Sequence, residues 1–235
     1  MRPLVISHAA CGGHAPENTL AGIRKAIELG ADAIEIDVQA SADGVPVLMH
    51  DPTVDRTTNG SGAVASLSLD RLRLLDAGGE PVPALAEVLD LTRGNVLLVM
   101  EIKQPGIERQ VAEVVQERGA LREVMTWSFF PQALEGMRRA EPRIPCGLLI
   151  SAQPLPGWPE MRELAIGLGA QAVSVFFDGV DVQLARDCQR SGLALYTWTV
   201  DPEAEIARLI DLGVGGICTN YPDRAVRLLK ERGPR

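Results

Sequence analysis

Five residues of this chain have the types and the spacing for phosphoester chemistry: His8, Glu35, Asp37, His50 and Glu101. Each lies at the end of an apolar run. Carboxylates two positions apart on an extended strand point the same way, so Glu35 and Asp37 can grip one hard cation. Imidazole is the side chain best suited to passing protons near neutral pH, and two of the chain's three histidines fall in this set. A cation between carboxylates, flanked by two proton carriers, suits metal-assisted cleavage of a phosphodiester.

Residues this far apart in sequence need a scaffold that gathers strand ends. Apolar strands alternate with amphipathic helices for most of the length. Strands read at Leu4–His8, Ala33–Val38, Val45–His50, Val96–Lys103, Val124–Phe129, Cys146–Ser151, Ala172–Phe177, Ala194–Val200 and Gly216–Asn220. Helical periodicity covers Thr19–Leu29, Ile107–Arg118, Pro131–Ala140, Glu160–Leu168, Val182–Ser191, Pro202–Leu212 and Pro222–Glu231. Leu29-Gly30 and Leu212-Gly213 read as glycine helix ends, and Asp201-Pro202 as an N-cap with a first-turn proline.

Alternation of this kind implies parallel strands joined by right-handed crossovers. It fits either an open doubly wound sheet or a closed (β/α)8 barrel, a TIM barrel. Nine strands are one too many for the barrel. Asp43-Gly44 between two apolar runs signals a hairpin, which makes Val45–His50 an antiparallel return strand and leaves eight for the barrel. If Asp43 and Gly44 are the two turn residues, Ala42 pairs with Val45 and His50 pairs with Asp37, on a shared face. A slip of one residue would turn His50 away.

The expected architecture is therefore one barrel domain over residues 1–235. It carries a small insertion at roughly 52–95, after the hairpin that follows the second strand. The insertion reads as a cover over the barrel mouth. It holds the polar turn Thr57-Thr58-Asn59-Gly60-Ser61-Gly62 and a helix-like Ala84–Leu91. The tail Arg232–Arg235 reads as frayed.

Composition narrows the partners. Nearly half of the residues are apolar, but only 4% are aromatic, so the core must be aliphatic. A formal charge of −8 argues against nucleic acid, which calls for a basic face. A small anion stays possible because a bound cation reverses the local field. Cys11, Cys146, Cys188 and Cys218 are far apart with no C-x-x-C, and read as buried reduced thiols of a cytoplasmic protein. No secretory leader and no run of about 20 apolar residues is present, so stable membrane insertion is not expected.

In a barrel, working groups gather at the carboxyl ends of the strands. His8 ends the first, Glu35 and Asp37 the second, and Glu101 and Lys103 the third. Trp198 lies near the end of the seventh. Taken alone, His14 reads as structural, and Trp127 and Phe129 as packing residues. Asn18-Thr19 reads as a helix start, which can also present amides to an anion.

At these positions the chain resembles the glycerophosphodiester phosphodiesterase family, in its small single-domain form. The matching stretches are His8 with Ala15-Pro16-Glu17-Asn18-Thr19, Glu35-Ile36-Asp37-Val38-Gln39, and Asp43-Gly44-Val45-Pro46-Val47 running to His50-Asp51. They continue through Asp55-Arg56-Thr57-Thr58-Asn59-Gly60, Glu101-Ile102-Lys103, Trp127-Ser128-Phe129, Tyr196-Thr197-Trp198-Thr199-Val200 and Thr219-Asn220-Tyr221-Pro222. Each motif is weak alone; the ordered set spans nearly the whole chain.

The resemblance implies that Glu35, Asp37 and Glu101 hold one divalent cation, Mg²⁺ or Ca²⁺. It makes His8 and His50 the acid–base pair, with Lys103 neutralising phosphate or steadying the carboxylates. Trp198 would wall the glycerol carbons, with Asn18 and Arg56 as further substrate contacts. The implied reaction splits a glycerophosphodiester into sn-glycerol 3-phosphate and an alcohol, the attacking group being water or the neighbouring glycerol hydroxyl. One departure stands out. The family pattern has Arg after the first histidine, where this chain has Ala9. That keeps two alternatives open: a related diesterase of lysophospholipase D type, or a barrel that binds phosphodiesters or metal without turnover. His14 and Arg56 are the nearby candidates to replace the missing guanidinium. The expected partner is a small-molecule glycerophosphodiester; a homo-oligomer is left open.

Overall fold

The structure, a computed structural model, describes residues 2–233. Among them the strands are β1 Leu4–Ser7, β2 Ala33–Ala40, β3 Pro46–Leu48, β4 Leu97–Ile102, β5 Val124–Ser128, β6 Cys146–Ile150, β7 Ala172–Phe176, β8 Ala194–Trp198 and β9 Gly216–Thr219. The helices are α1 Leu20–Glu28, α2 Leu69–Arg73, α3 Leu85–Thr92, α4 Glu108–Glu117, α5 Pro131–Ala140, α6 Trp158–Leu168, α7 Val182–Arg190, α8 Glu203–Leu212 and α9 Pro222–Arg232. Arg232 thus ends α9, and Pro234 and Arg235 lie outside the described residues.

All strands but β3 are parallel, in the order β1-β9-β8-β7-β6-β5-β4-β2, and β1 pairs with β2 to close the ring. This is the expected TIM barrel. The period-2 pattern of β2 shows why the sheet curls into two layers. Ile34, Ile36 and Val38 face outward onto Ile23, Leu85 and Leu89 of the helices, while Ala33 joins Ile6, Val99, Trp127, Leu149 and Cys218 inside the barrel. The helix ends follow local rules. Thr19 accepts from the Gly22 N–H at 3.1 Å to start α1, and Asp181 accepts from the Leu184 N–H at 2.7 Å to start α7.

Two local expectations fail. The hairpin loop is Ala42-Asp43-Gly44, three residues rather than two. Ser41 N–H donates to the Val45 carbonyl at 3.0 Å, and the Ser41 hydroxyl accepts from the Val45 N–H at 3.0 Å. A two-residue type I′ turn needs positive φ at both central residues, and here only Gly44 adopts it (79°). Val38 therefore pairs with Leu48, and Met49 N–H reaches the Asp37 carbonyl, so Met49 rather than His50 lies opposite Asp37. The second failure is Asp201. It does not cap α8, whose N-cap is Pro202 without a side-chain bond; its carboxylate turns to β9 and Asn220.

The segment expected at 52–95 divides. Val47, Met49, Val54, Val64, Leu72, Ala77 and Val82 form a small apolar cluster of their own. Helix α3 instead packs between α1 and α4 as part of the outer ring.

Candidate active site

The carboxyl ends of β1, β2 and β4 bring the acids together. Parallel register sets Asp37 level with Glu101, with Glu35 two residues below on the same face. All three are buried, and one carboxylate oxygen from each lies within 4.8 Å of the others. Lys103 is the cation among them, its Nζ 2.9 Å from Glu101 Oε1 and 3.4 Å from Asp37 Oδ1. One ammonium does not balance three carboxylates. Glu35 Oε1 is buried with no hydrogen-bond donor, and Asp37 Oδ1 is buried with the Lys103 ion pair but no hydrogen bond. Burial, then the charges of Asp37 and Glu101, push the Glu35 carboxyl well above its ordinary range. Burial and the Asp37 charge likewise raise Glu101. Burial pulls Lys103 down, but Asp37 and Glu101 together outweigh it and its pKa is raised. Orphaned, convergent carboxylate oxygens are expensive in a low-dielectric interior. They suit a hard divalent ion with oxygen ligands.

The loop after β1 is bent to serve these acids. Ala9, Ala10 and Asn18 all adopt left-handed φ values, 47°, 68° and 54°. For an L-residue with a side chain that region costs about 1–2 kcal/mol, least for Asn. Each of two of these bends aims a donor: Ala9 N–H donates to Glu35 Oε2 at 2.8 Å, and Asn18 Nδ2 donates to Asp37 Oδ2 at 2.7 Å. Asn18 Oδ1 also accepts from the Asp37 N–H at 3.0 Å. Asn18 is therefore engaged with a carboxylate, not exposed to the cavity as a substrate contact would be.

Above the acids is a cavity of about 200 Å³ lined by both His8 and His50. His8 Nδ1 meets Asn220 Oδ1 at 2.8 Å. His50 Nδ1 meets Asp51 Oδ1 at 2.7 Å. Arg56 Nε donates to Asp51 Oδ2 at 2.6 Å, and its Nη1 and Nη2 fork onto Glu17 at 2.9 and 2.6 Å. Arg56, then His50, hold the Asp51 carboxyl down at about 2. Arg56 thus buttresses the histidine loop; four of its N–H groups go to Asp51 and Glu17, and it does not line the cavity as the sequence led us to expect. His14, which reads as structural in the sequence, pairs with Asp223 at 2.6 Å and does not line the cavity.

His50 reaches the cavity in spite of the shifted register because β3 ends at Leu48. Gln39 Nε2 donates to the carbonyls of Met49 and His50 at 3.0 and 3.3 Å, and to that of Asp51. This buried amide reshapes the chain just past the ladder. The sequence carried a signal for it: Gln39 continues the Glu35, Asp37 polar face by two more positions.

The opposite wall is apolar. Trp127, Phe129, Leu149 and Trp198 line it, with Phe129 edge-on to Trp198 at 5.3 Å between ring centres and Phe176 behind Trp198 at 5.7 Å. Phe129 therefore both packs and faces the cavity.

Residues 8–224 match the family model described as the glycerophosphoryl diester phosphodiesterase family. The chain belongs to that family. It is 36% identical to the glycerophosphodiester phosphodiesterase of Caldanaerobacter subterraneus subsp. tengcongensis, over 99% of this chain and 100% of the relative. It is 31% identical to that of Bacillus subtilis, over 94% of this chain and 85% of the relative. Among solved structures, an Oleispira antarctica phosphodiesterase in complex with the product sn-glycerol-3-phosphate superposes with a TM-score of 0.87 at 28% identity, covering 97% of each chain. The glycerophosphodiester phosphodiesterase of Agrobacterium tumefaciens superposes with a TM-score of 0.85 at 27% identity, over 96% of this chain and 99% of that one. The family match opens on His8 and takes in the Thr219-Asn220 pair that meets it across the barrel seam. No helix among the described residues is long and apolar enough to cross a membrane.

Proposed function

We propose that this chain hydrolyses glycerophosphodiesters to sn-glycerol 3-phosphate and an alcohol, with one divalent cation, Mg²⁺ or Ca²⁺, held by Glu35, Asp37 and Glu101. The observation that carries the reading is a cluster of three buried carboxylates with only one ammonium among them, two of which line one cavity with both imidazoles. When bound, the cation supplies Lewis-acid stabilisation of negative charge on a phosphate oxygen.

The remaining steps belong to side chains of this chain. His8 presents its Nδ1 to the neutral amide oxygen of Asn220; Nε2 is then an acceptor, suited to take the proton of the attacking hydroxyl or water. His50 presents its Nδ1 to an ionised carboxylate, Asp51. That partner fixes the ring, and we assign His50 as the group that gives a proton to the leaving alkoxide. Lys103 holds Glu101 and Asp37 in place and offsets their charge. Trp198 and Phe129 give the carbon skeleton of the substrate an apolar wall and keep water from one side of the phosphorus. All four cysteines are free and buried, which accords with a reducing, cytoplasmic setting.

The test is release of glycerol 3-phosphate from glycerophosphocholine by the purified protein with Mg²⁺ or Ca²⁺, with and without EDTA. Turnover that the chelator stops is the expected result. Turnover indifferent to EDTA removes the cation from the reading, and no turnover of any diester with cation still bound leaves a binding barrel.

A further inference from the structure

Two groups outside the cavity bear on His8: Asn220, which meets its Nδ1, and Asp201, which the reaction above does not use. Asn220 follows β9 and Asp201 follows β8, at the seam where the last strands meet the first. Asp201 reads Asn220 twice: Oδ1 accepts its backbone N–H at 2.9 Å and Oδ2 accepts its side-chain Nδ2 at 2.8 Å. Thr219 Oγ1 adds a third donor to Asp201 Oδ1 at 3.1 Å, and Arg224 Nη1 ties down the Asp201 carbonyl at 2.8 Å.

A carboxylate only accepts, so the edge of the Asn220 amide that faces Asp201 must be the NH₂ edge. Its oxygen is thereby turned toward His8, 2.8 Å from Nδ1. An amide oxygen also only accepts. His8 Nδ1 must then carry the hydrogen, and in the neutral ring the lone pair is left on Nε2. His8 lines the cavity and Asn220 does not, so the edge with Nε2 is the one turned toward substrate. The chain leaves room for this contact. Gly12 passes so close that a methyl there would stand 3.2 Å from Asn220 Oδ1, and one on Gly13 would stand 2.5 Å from the Asn220 carbonyl oxygen.

We propose that Asp201 and Asn220 are positioning residues that lock His8 in its Nδ1–H form and so make Nε2 the proton acceptor of the reaction. The inference rests on the role given to His8 above, but its first readout does not need turnover. In ¹⁵N-labelled protein, at a pH where His8 is neutral, long-range proton–nitrogen correlation should show Nδ1 protonated and Nε2 bare. In Asn220→Leu, and separately in Asp201→Asn, which keeps the shape but frees the amide to turn over, the spectrum should move toward the Nε2–H form. kcat on glycerophosphocholine should fall about 100-fold, the scale of one general base. KM and Ca²⁺ affinity should each stay within about 2-fold, because neither residue touches the cavity or the acids.

An Nε2–H His8 in the unaltered protein overturns the proposal. So does an unchanged tautomer in a folded Asn220→Leu or Asp201→Asn variant, or a fall in kcat matched by an equal loss of Ca²⁺ affinity. If the unaltered protein turns over no diester, the reaction assigned above fails, while the tautomer measurements still decide whether this lock exists.

Discussion

The mouth of the barrel has two unlike sides. Strands β1, β2 and β4 contribute His8, Glu35, Asp37, Glu101 and Lys103, with His50 from the hairpin. Strands β5 to β8 contribute Trp127, Phe129, Leu149 and Trp198. The polar side is knitted by side chains on neighbouring loops: Ala9 and Asn18 on the acids, Gln39 on the His50 turn, Arg56 between Asp51 and Glu17. The aromatic side packs ring against ring, and its few side-chain hydrogen bonds, those of Ser128 and Arg208, are made with backbone behind the wall. The asymmetry reaches the composition. All four phenylalanines of the chain, Phe129, Phe130, Phe176 and Phe177, fall at the ends of β5 and β7. Charge placement needs donors fixed one by one, whereas an apolar wall needs only bulk. Substitutions on the two sides should therefore fail in different observables.

The largest effect should come from the polar side. His50→Ala should lower kcat by about 10³-fold, the range for one acid–base group, while Ca²⁺ affinity measured by calorimetry stays put. A kcat that survives would remove His50 from proton transfer. Next is Asn18→Ala. Groups that orient a ligand of the ion typically matter by 10–100-fold, and we expect about 30-fold weaker cation binding with KM, at saturating cation, unmoved. A rise in KM without loss of cation affinity would restore Asn18 to the substrate side.

On the aromatic side, Trp198→Ala should raise KM about 10-fold through lost apolar contact and leave cation affinity unchanged. If cation affinity drops as well, the two sides are not independent. The smallest effect is expected at the family's missing arginine. Ala9 lies against Glu35 through its amide, and Ala9→Arg should lower KM by about 3-fold, the scale of about one weak added hydrogen bond. No change in KM would show that Lys103 and the cation already suffice for the phosphate.

The acids also set a pH dependence. Glu35 and Glu101 have raised pKa values in the folded chain, so the fold holds their protons more tightly than the unfolded chain does. Folding then takes up protons. Without cation, the contribution of these two acids to stability should be greatest below the ordinary carboxylate range and be lost as pH climbs through the raised values. Excess Ca²⁺ or Mg²⁺ should cancel that loss, because the ion binds the deprotonated carboxylates. Melting curves across pH, with EDTA and with cation, measure both slopes; a flat EDTA series would mean the acids carry no burial penalty.

Much of this was legible in the sequence because strand and helix periods are local. Nine strand signals and the helix pattern read the barrel, and carboxylates two apart on strands placed the acids. What was not legible turns on tertiary partners. Asp43-Gly44 announces a hairpin, but the Ser41 hydroxyl decides its length. Asp201-Pro202 obeys a capping rule that the amides of Asn220 override. An arginine in a polar turn near the site has the look of a phosphate clamp until Glu17, distant in sequence, occupies it. Gln39 and Asn220 lie inside stretches that resemble the family, yet the spacing of residues does not reveal which carbonyl or imidazole an amide will meet.

The contact between His8 and Asn220 spans 212 positions of the chain. A ribosome must therefore add those 212 residues after His8 before the proposed base acquires its partner. A nascent chain halted before the final stave would already own its carboxylates, both imidazoles and its aromatic panel, yet it would leave the first imidazole unanchored. Full activity would wait until β9 docks beside β1 and brings Asn220 to His8.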